Sequence, residues 1–333
     1  MKVLLFSEGL NLIKISGLGR AIMHQQRALT SVGIPFTTDP KDKDWDVVHI
    51  NTLGLKSKRL AKKAHKMGRK VVYHAHSTEE DFRDSFFFAN ALSGLFKKWI
   101  ISCYNTGDVI VTPTEYSKRL LKGYGITKQI YAVSNGIDLP FYEPKDTDRA
   151  EFRQKFGLKD DDKAVIAVGL YFQRKGILSF VELAKRMPDY KFIWFGKTPM
   201  ISIPHKIRKA VRTKLPNLTF AGYVQPDELK KAYVGCDVYI FPTYEETEGI
   251  VLLEALAARA NVVVRDIGCF DWLKSGVDCY KAPDTSAFET YIIDITGGKL
   301  PSLRDAGHDA VEDKSIDKVG ERLKKVYEDA MNA

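Results

Sequence analysis

Short β-branched runs alternate with longer amphipathic stretches along this chain, in two separate series. The first series is Val3–Phe6, Val47–Ile50, Val71–His74, Val109–Thr112 and Ile130–Val133, with helical stretches such as Gly19–Val32 and Lys56–Gly68 between. The rhythm stops at Asp138-Leu139-Pro140-Phe141-Tyr142-Glu143-Pro144-Lys145, where two prolines and polar residues read as a linker. It restarts with Ala164–Gly169, Lys191–Phe195, Leu218–Phe220, Val238–Phe241 and Asn261–Arg265. Strands joined through helices lie parallel, and a parallel sheet is covered on both faces. The fold class is therefore α/β, with two Rossmann-like doubly wound domains facing a central cleft. The expected division is 1–140, 146–312 and a last helix within 313–333 that has the first domain as a surface to pack back on. In that helix Val319, Leu323, Val326 and Tyr327 fall on one stripe. In such sheets ligands bind at the carboxyl ends of the strands.

A length of 333 residues suits two cores better than one. No apolar run approaches the about 18–20 residues needed to span a bilayer. Met1–Ser7 reads as a first buried strand and not as a signal peptide. The four cysteines, Cys103, Cys236, Cys269 and Cys279, form no C-x-x-C pair, so a reduced, cytoplasmic protein is expected.

The net charge of +9 is unevenly spread. Residues 1–145 hold 22 Lys and Arg against 13 Asp and Glu, whereas residues 146–333 hold 29 of each. Much of the excess lies in Lys56, Lys58, Arg59, Lys62, Lys63, Lys66, Arg69 and Lys70, a run without one acid. It reads either as a solvated helix face or as a surface drawn to an anionic partner, membrane or nucleic acid.

Four motifs carry chemistry. Glu246 and Glu254 bracket a Thr-Glu-Gly-Ile-Val-Leu-Leu run that follows the strand Val238–Phe241. A helix starting near Gly249 offers free N–H groups and a partial positive charge, a seat for phosphate. Two carboxylates beside that seat suit sugar hydroxyls, so a sugar nucleotide fits. Ser16-Gly17-Leu18-Gly19-Arg20 opens the helix Ala21–Val32, where glycine lets the backbone approach a ligand. It is not a full G-x-G-x-x-G, which disfavours a dinucleotide. His74 and His76 lie two apart at a strand end and so share a face towards the cleft. They lack further ligands for zinc, and binding substrate competes with plain packing. Arg174 and Lys175 follow the strand Ala164–Gly169 just before a helix; two cations there suit a diphosphate, or else an ordinary surface turn.

Taken together, these elements resemble the retaining family 4 glycosyltransferases with the two-domain GT-B fold. The resemblance rests on the order Gly-rich loop, strand-end histidine, Ser134-Asn135-Gly136-Ile137-Asp138, Gly169…Arg174-Lys175-Gly176 and Glu246-x7-Glu254, and it covers nearly the whole chain. It implies that Gly17, Gly19 and Gly169 approach the donor diphosphate and that His76 hydrogen-bonds the transferred sugar. It further implies that Arg174 and Lys175 neutralise the leaving diphosphate. Glu246 is then expected on sugar hydroxyls beside the N–H groups of Gly249, Ile250 and Val251, and Glu254 on the ribose. Tyr223 and Val224, in the turn after Phe220, are expected to hold the base. The catalytic set is thus His76, Glu246, Lys175 and Arg174. The chain departs from the family pattern at Leu170, where an arginine is usual, and at Thr247 and Glu248, where proline and an aromatic are usual.

Arg174-Lys175-Gly176-Ile177, Phe192–Gly196 and His74–Phe82 are closer to one branch, the bacterial glycosyltransferases that build diacylglycerol glycolipids, the anchors of lipoteichoic acid. Resemblance to that branch implies α-retaining transfer of a hexose from UDP-galactose or UDP-glucose to a glycolipid acceptor such as α-glucosyl-diacylglycerol. Diacylglycerol itself, or a polysaccharide or protein acceptor, is the alternative. No metal and no other cofactor is required. The enzyme would sit peripherally on the inner face of the cell membrane, through Lys56, Lys58, Arg59, Lys62, Lys63, Lys66, Lys97, Lys98 and Trp99. The segment Phe86–Ile101 is then either an interfacial helix or a core helix packed on the first sheet. A nucleic-acid binder is the competing class, but the basic run has no interleaved aromatics and no recognised motif, so no nucleic acid is expected. A nucleotide-sugar epimerase shares the two-domain plan and would turn over its donor without an acceptor.

Overall fold

A computed structural model of the chain describes residues 1–9, 16–85 and 89–332. It has two six-stranded parallel sheets. The first contains β1 (Val3–Phe6), β2 (Phe36–Thr37), β3 (Val47–Ile50), β4 (Lys70–His74), β5 (Val109–Thr112) and β6 (Gln129–Ala132), in the order β2-β1-β3-β4-β5-β6. The second contains β7 (Lys163–Val168), β8 (Tyr190–Phe195), β9 (Leu218–Gly222), β10 (Val238–Phe241), β11 (Val262–Arg265) and β12 (Tyr280–Ala282), in the order β12-β11-β10-β7-β8-β9. Each half is doubly wound, as the sequence rhythm requires. The order reverses beside β1 in one sheet and beside β7 in the other, and these are the switch points where ligands gather.

The central strands are buried from end to end, which is why they read as unbroken apolar runs instead of alternating ones: Val47–Ile50, Val109–Thr112, Val238–Phe241 and Val262–Arg265 are buried at every position. Each sheet has a core on both faces. Leu4, Val48, Tyr73 and Ile110 face one side of the first sheet, and Val3, Val47, Val72 and Val111 the other. The latter side is closed by the helices Gly17–Ser31 and Ile316–Asn332. Val319, Leu323, Val326, Tyr327 and Ala330 of the terminal helix enter that core, so the last segment of chain packs on the first sheet.

The chain passes between the halves at two places that lie side by side. Ile137 N–H donates to Lys314 O at 2.9 Å, and Ile316 N–H donates to Ile137 O at 3.1 Å. The linker around Asp138–Lys145 is not extended, because it holds a short helix, Leu139–Tyr142, with proline in its first turn. The two-residue β2 and three-residue β12 are absent from the sequence reading because neither is long enough to print a periodic signal.

Candidate active site

The loop Thr243–Gly249 leaves β10 and turns into the helix Ile250–Ala257. It is pressed against the first half. Thr114 Oγ1 donates to Thr247 O at 2.8 Å, and Tyr116 OH donates to Glu245 Oε2 at 2.9 Å. Asn135 donates to Glu248 Oε2 from its backbone N–H at 2.9 Å and its side-chain amide at 2.7 Å. Glu248 occupies the position where the family pattern has an aromatic, and here it ties the loop to the Asn135-Gly136-Ile137 crossing.

Glu246 is buried and ion-paired with Lys175, and Thr243 Oγ1 donates to its Oε1 at 3.0 Å. Burial pushes the Glu246 carboxyl up, but the Lys175 ammonium and the Arg174 guanidinium outweigh it and hold the group below the ordinary carboxylate value. Burial lowers the Lys175 ammonium, against the attraction of Glu246. Arg174 reaches across to the first half: its Nη1 lies 2.9 Å from Asp81 Oδ1, and its Nε donates to Ser85 Oγ at 2.7 Å. The same Nη1 donates to Glu245 O at 3.1 Å. Both cations stand on the tight turn Gln173–Lys175 at the end of β7, closed by Gly176 in the left-handed region at φ 77°. A Cβ on Gly176 would sit 2.1 Å from Pro242 O, so no other residue fits without moving the turn that aims the two cations.

Gly249 also lies in the left-handed region, at φ 85°, and no side chain caps the helix it starts. The N–H groups of Gly249, Ile250 and Val251 therefore lie at a helix N-terminus beside Lys175 and Glu246, a setting with affinity for anions. Glu254 is 0 % exposed; it pairs with Arg20 from the first half and accepts from Tyr233 OH at 3.0 Å. The two acids of the motif thus do not share partners: Glu246 looks to the two cations after β7, and Glu254 to an arginine across the cleft. Gly169 ends β7 next to the Lys175 side chain, 3.5 Å from where a Cβ would project. Tyr223 is exposed and Val224 half-buried after the turn at Gly222, whose carbonyl accepts from Gly196 N–H at 2.7 Å.

Two readings need correction. Gly17 and Gly19 are not in a loop before a helix at Ala21; they form the first turn of Gly17–Ser31, because Ser16 caps it by accepting from Gly19 N–H at 3.3 Å. His74 and His76 do not both face the cleft. His76 follows the strand by two residues and is half-buried, whereas His74 is buried among His49, Gln25 and the His76 ring. Several site residues had no role readable in the sequence, even where they stood inside a motif. Arg20, Asp81 and Asn135 are ordinary polar residues until the fold sets them against the motif. Glu245 has burial as its main influence, which pushes its carboxyl up to about 7, and its Oε1 is buried without a partner.

On the first half, Lys56, Arg59, Lys62, Lys63 and Lys66 are exposed along the helix Leu55–Lys66, together with Leu55 and Met67. Lys58 is instead folded onto the Trp99 ring at 5.1 Å and bonds Ser102 Oγ. Trp99 Nε1–H donates to Leu53 O at 2.8 Å, and Lys97 pairs with Glu79 at 3.1 Å. The helix Ala89–Tyr104 buries Ser93, Ile100, Cys103 and Tyr104 and leaves Leu92, Leu95 and Lys98 outside. It is a core helix on one face and an exposed apolar one on the other; Phe86–Phe88 lie outside the described residues. No helix among the described residues is long and apolar enough to cross a membrane. Among the same residues no group of three His, Cys, Asp or Glu is arranged to hold a metal ion.

Two Rossmann-like halves, with two cations and a bare helix start on the side of the second half turned to the first, have the plan of a GT-B glycosyltransferase. The chain belongs to the family 4 glycosyltransferases and is closely related to bacterial diacylglycerol glycolipid synthases. Residues 162–297 match the family "Glycosyl transferases group 1" and residues 38–141 match "Glycosyltransferase Family 4". The processive diacylglycerol alpha-glucosyltransferase of Acholeplasma laidlawii is 42% identical over 334 residues, covering 99% of both chains. The alpha-galactosylglucosyldiacylglycerol synthase of Streptococcus pneumoniae is 26% identical, over 69% of this chain and 63% of its own. Among solved structures, Anabaena HepE in complex with UDP and glucose superposes with a TM-score of 0.81 at 14% identity, covering 99% of this chain and 100% of that one. That likeness concerns the fold.

Proposed function

We propose that this enzyme transfers an α-glucosyl residue from UDP-glucose to a diacylglycerol-based acceptor at a membrane surface, with retention of configuration. The observation that carries the proposal is the placing of Lys175, Arg174 and the start of Ile250–Ala257 around Glu246, on the face turned to the first half. That array suits a sugar diphosphate, and the relative that matches over 99% of both chains bears the name of an alpha-glucosyltransferase acting on diacylglycerol.

In the proposed reaction the diphosphate competes with Glu246 and Asp81 for the two cations. Glu246, once shared with Lys175, accepts hydrogen bonds from sugar hydroxyls. Glu254 exchanges Arg20 for the ribose hydroxyls, and His76 meets the sugar from the other side. The bond from the anomeric carbon to the leaving phosphate oxygen breaks, and the bond from that carbon to the acceptor oxygen forms on the same face. The acceptor proton passes to the leaving phosphate oxygen. Preorganised cations and N–H groups stabilise the growing charge, so no separate acid is needed for departure. Tyr223 and Val224 hold the base.

The acceptor's lipid part is expected to remain in an anionic inner leaflet. The exposed cations Lys56, Arg59, Lys62, Lys63, Lys66 and Lys98 would meet headgroups, with Leu55, Leu92 and Leu95 at the acyl boundary; each cation near such a surface is worth roughly 1 kcal/mol. Lys58 and Trp99 would serve mainly to hold the two helices together, and Lys97 to hold Ala89–Tyr104 to Glu79. The test is a panel of UDP-glucose and UDP-galactose against diacylglycerol and α-glucosyl-diacylglycerol in vesicles, read by mass spectrometry and anomeric analysis. α-Glucosyl products from UDP-glucose support the proposal; donor turnover without any lipid product overturns it.

A further inference from the structure

Six polar side chains from four distant parts of the chain meet under the first sheet's carboxyl end: Gln25, His49, Asn51, His74, His76 and Tyr327. With the Gln25 and Asn51 amides oriented as the structure has them, counting donors gives the tautomers. The Gln25 amide nitrogen only donates, and it lies 2.9 Å from Asn51 Oδ1 and 2.7 Å from His74 Nδ1, so both of those atoms accept. Asn51 returns a bond from Nδ2 to Gln25 Oε1 at 2.9 Å, so the two amides hold each other and neither turns alone. His49 Nε2, 3.0 Å from an unprotonated His74 Nδ1, must carry a hydrogen, so His49 Nδ1 accepts from Tyr327 OH at 2.7 Å. His76 Nε2 faces Asn51 Oδ1 at 2.9 Å and must therefore donate.

We infer that Asn51, locked by Gln25, is a positioning residue that holds His76 in its Nε2–H tautomer, so that the Nδ1 lone pair is the group offered to a hydroxyl of the transferred hexose. This rests on the proposed function for its assignment of His76 to the sugar. The ring nitrogen not engaged in fixing a histidine is the one left for ligand, and its state is set by the other nitrogen's partner. The surroundings agree. His74 stacks on His76 with centroids 3.8 Å apart, His49 lies behind His74 and Tyr327 behind His49, and all three are buried. Burial pushes His76 and His49 down to about 3 and His74 well below the ordinary histidine value, so the cluster is neutral at working pH. A neutral acceptor suits a reaction in which positive charge grows on the sugar ring, where an imidazolium would oppose it. Tyr327 places the terminal helix at the far end of the same chain of bonds.

The test uses histidine-15N-labelled full-length enzyme with NMR of the ring nitrogens, alongside kinetics of variants. The wild type should show His76 as Nε2–H with an unprotonated Nδ1 from pH 6 to 8; a dominant Nδ1–H form overturns the inference. Asn51→Leu should mix the two tautomers and lower kcat about tenfold or more, with KM for UDP-glucose changed far less. Asn51→Asp keeps an acceptor at Nε2 but adds a charge that favours imidazolium. It should restore the tautomer and add an acid limb to the pH profile of kcat, which a merely structural asparagine would not produce; a profile identical to wild type overturns the inference. Should Asn51→Leu fail to fold, the wild-type spectrum and the aspartate variant still decide. His76→Ala separates the two levels: unaltered transfer removes the sugar assignment itself, whereas lost transfer with the wrong tautomer removes only the role given to Asn51.

Discussion

Lys175 and Glu246 form a buried pair, and such pairs behave differently when one or both members are removed. Losing one partner strands a charge away from water, at a cost of about 3–5 kcal/mol, whereas replacing both with neutral groups of similar volume is often close to neutral. Lys175→Met and Glu246→Gln should each lower the denaturation midpoint and cut transfer by orders of magnitude, while the double variant should regain stability and stay inactive. Recovery of activity in the double variant would remove both residues from the site. Glu245 makes a separate prediction. Its folded carboxyl titrates at about 7 against an ordinary 4.5, so the folded state binds the extra proton between those values. Stability from this group is present below about 4.5 and is lost as pH rises towards 7. The melting-temperature advantage of Glu245→Gln over wild type should grow from pH 5 to pH 8 and then level off. The sequence made Arg174, Lys175, Glu246 and Glu254 legible because each lies in a short motif of fixed spacing. Arg20, Asp81 and Asn135 stood inside motifs without a readable role and Asn51 stood in none, since what gives each its role is a partner more than twenty residues away.

Elements were readable where they were long or fully buried. The apolar runs of β1, β3, β5, β10 and β11 fixed the sheet centres, because a parallel strand buried on both faces leaves few polar residues to confuse it. One edge of each sheet was not readable: β2 and β12 are held by register with β1 and β11, a property of the neighbour and not of their own residues. Helix starts were read late, by four residues where Ala21 was taken for Gly17, because a serine cap draws glycines into the first turn. The turn Gln173–Gly176 shows how closely an element can constrain the site. Gly176 combines a left-handed backbone with a Cβ position 2.1 Å from Pro242 O, whereas Gly298, at φ 71°, has nothing within 4 Å. The left-handed region alone costs an ordinary residue about 1–2 kcal/mol. Gly298→Ala should therefore lose about that much in denaturant unfolding. Gly176→Ala should lose more and also weaken UDP binding, since the turn cannot relax without moving Arg174 and Lys175. Equal losses at the two positions would show that Pro242 yields freely.

At the scale of the whole molecule, the two halves differ in charge as they differ in work: the whole excess of +9 lies in residues 1–145, and the half that carries Lys175 and Glu246 is balanced. A uniformly basic protein would bind anions anywhere, but this distribution gives it a preferred face. On that face the cations divide into two kinds. Lys58 covers Trp99 and bonds Ser102, so it belongs to the packing of Leu55–Lys66 on Ala89–Tyr104. Lys62 and Lys63 are exposed, and neither forms an ion pair among the described residues. Replacing Lys62 and Lys63 with glutamine removes about 2 kcal/mol of attraction to an anionic leaflet, close to a thirtyfold fall in partition onto phosphatidylserine-containing vesicles at low salt. The melting temperature should hardly change, and binding to neutral phosphatidylcholine vesicles should be unaffected. Lys58→Gln should do the reverse, lowering stability more than vesicle binding. Because surface attraction is screened within about 10 Å at 0.1 M salt, the difference between wild type and the Lys62/Lys63 variant should close as salt rises. If sedimentation with vesicles shows the two proteins binding alike at low salt, the orientation proposed for the first half is wrong, and the acceptor must reach the cleft from another side.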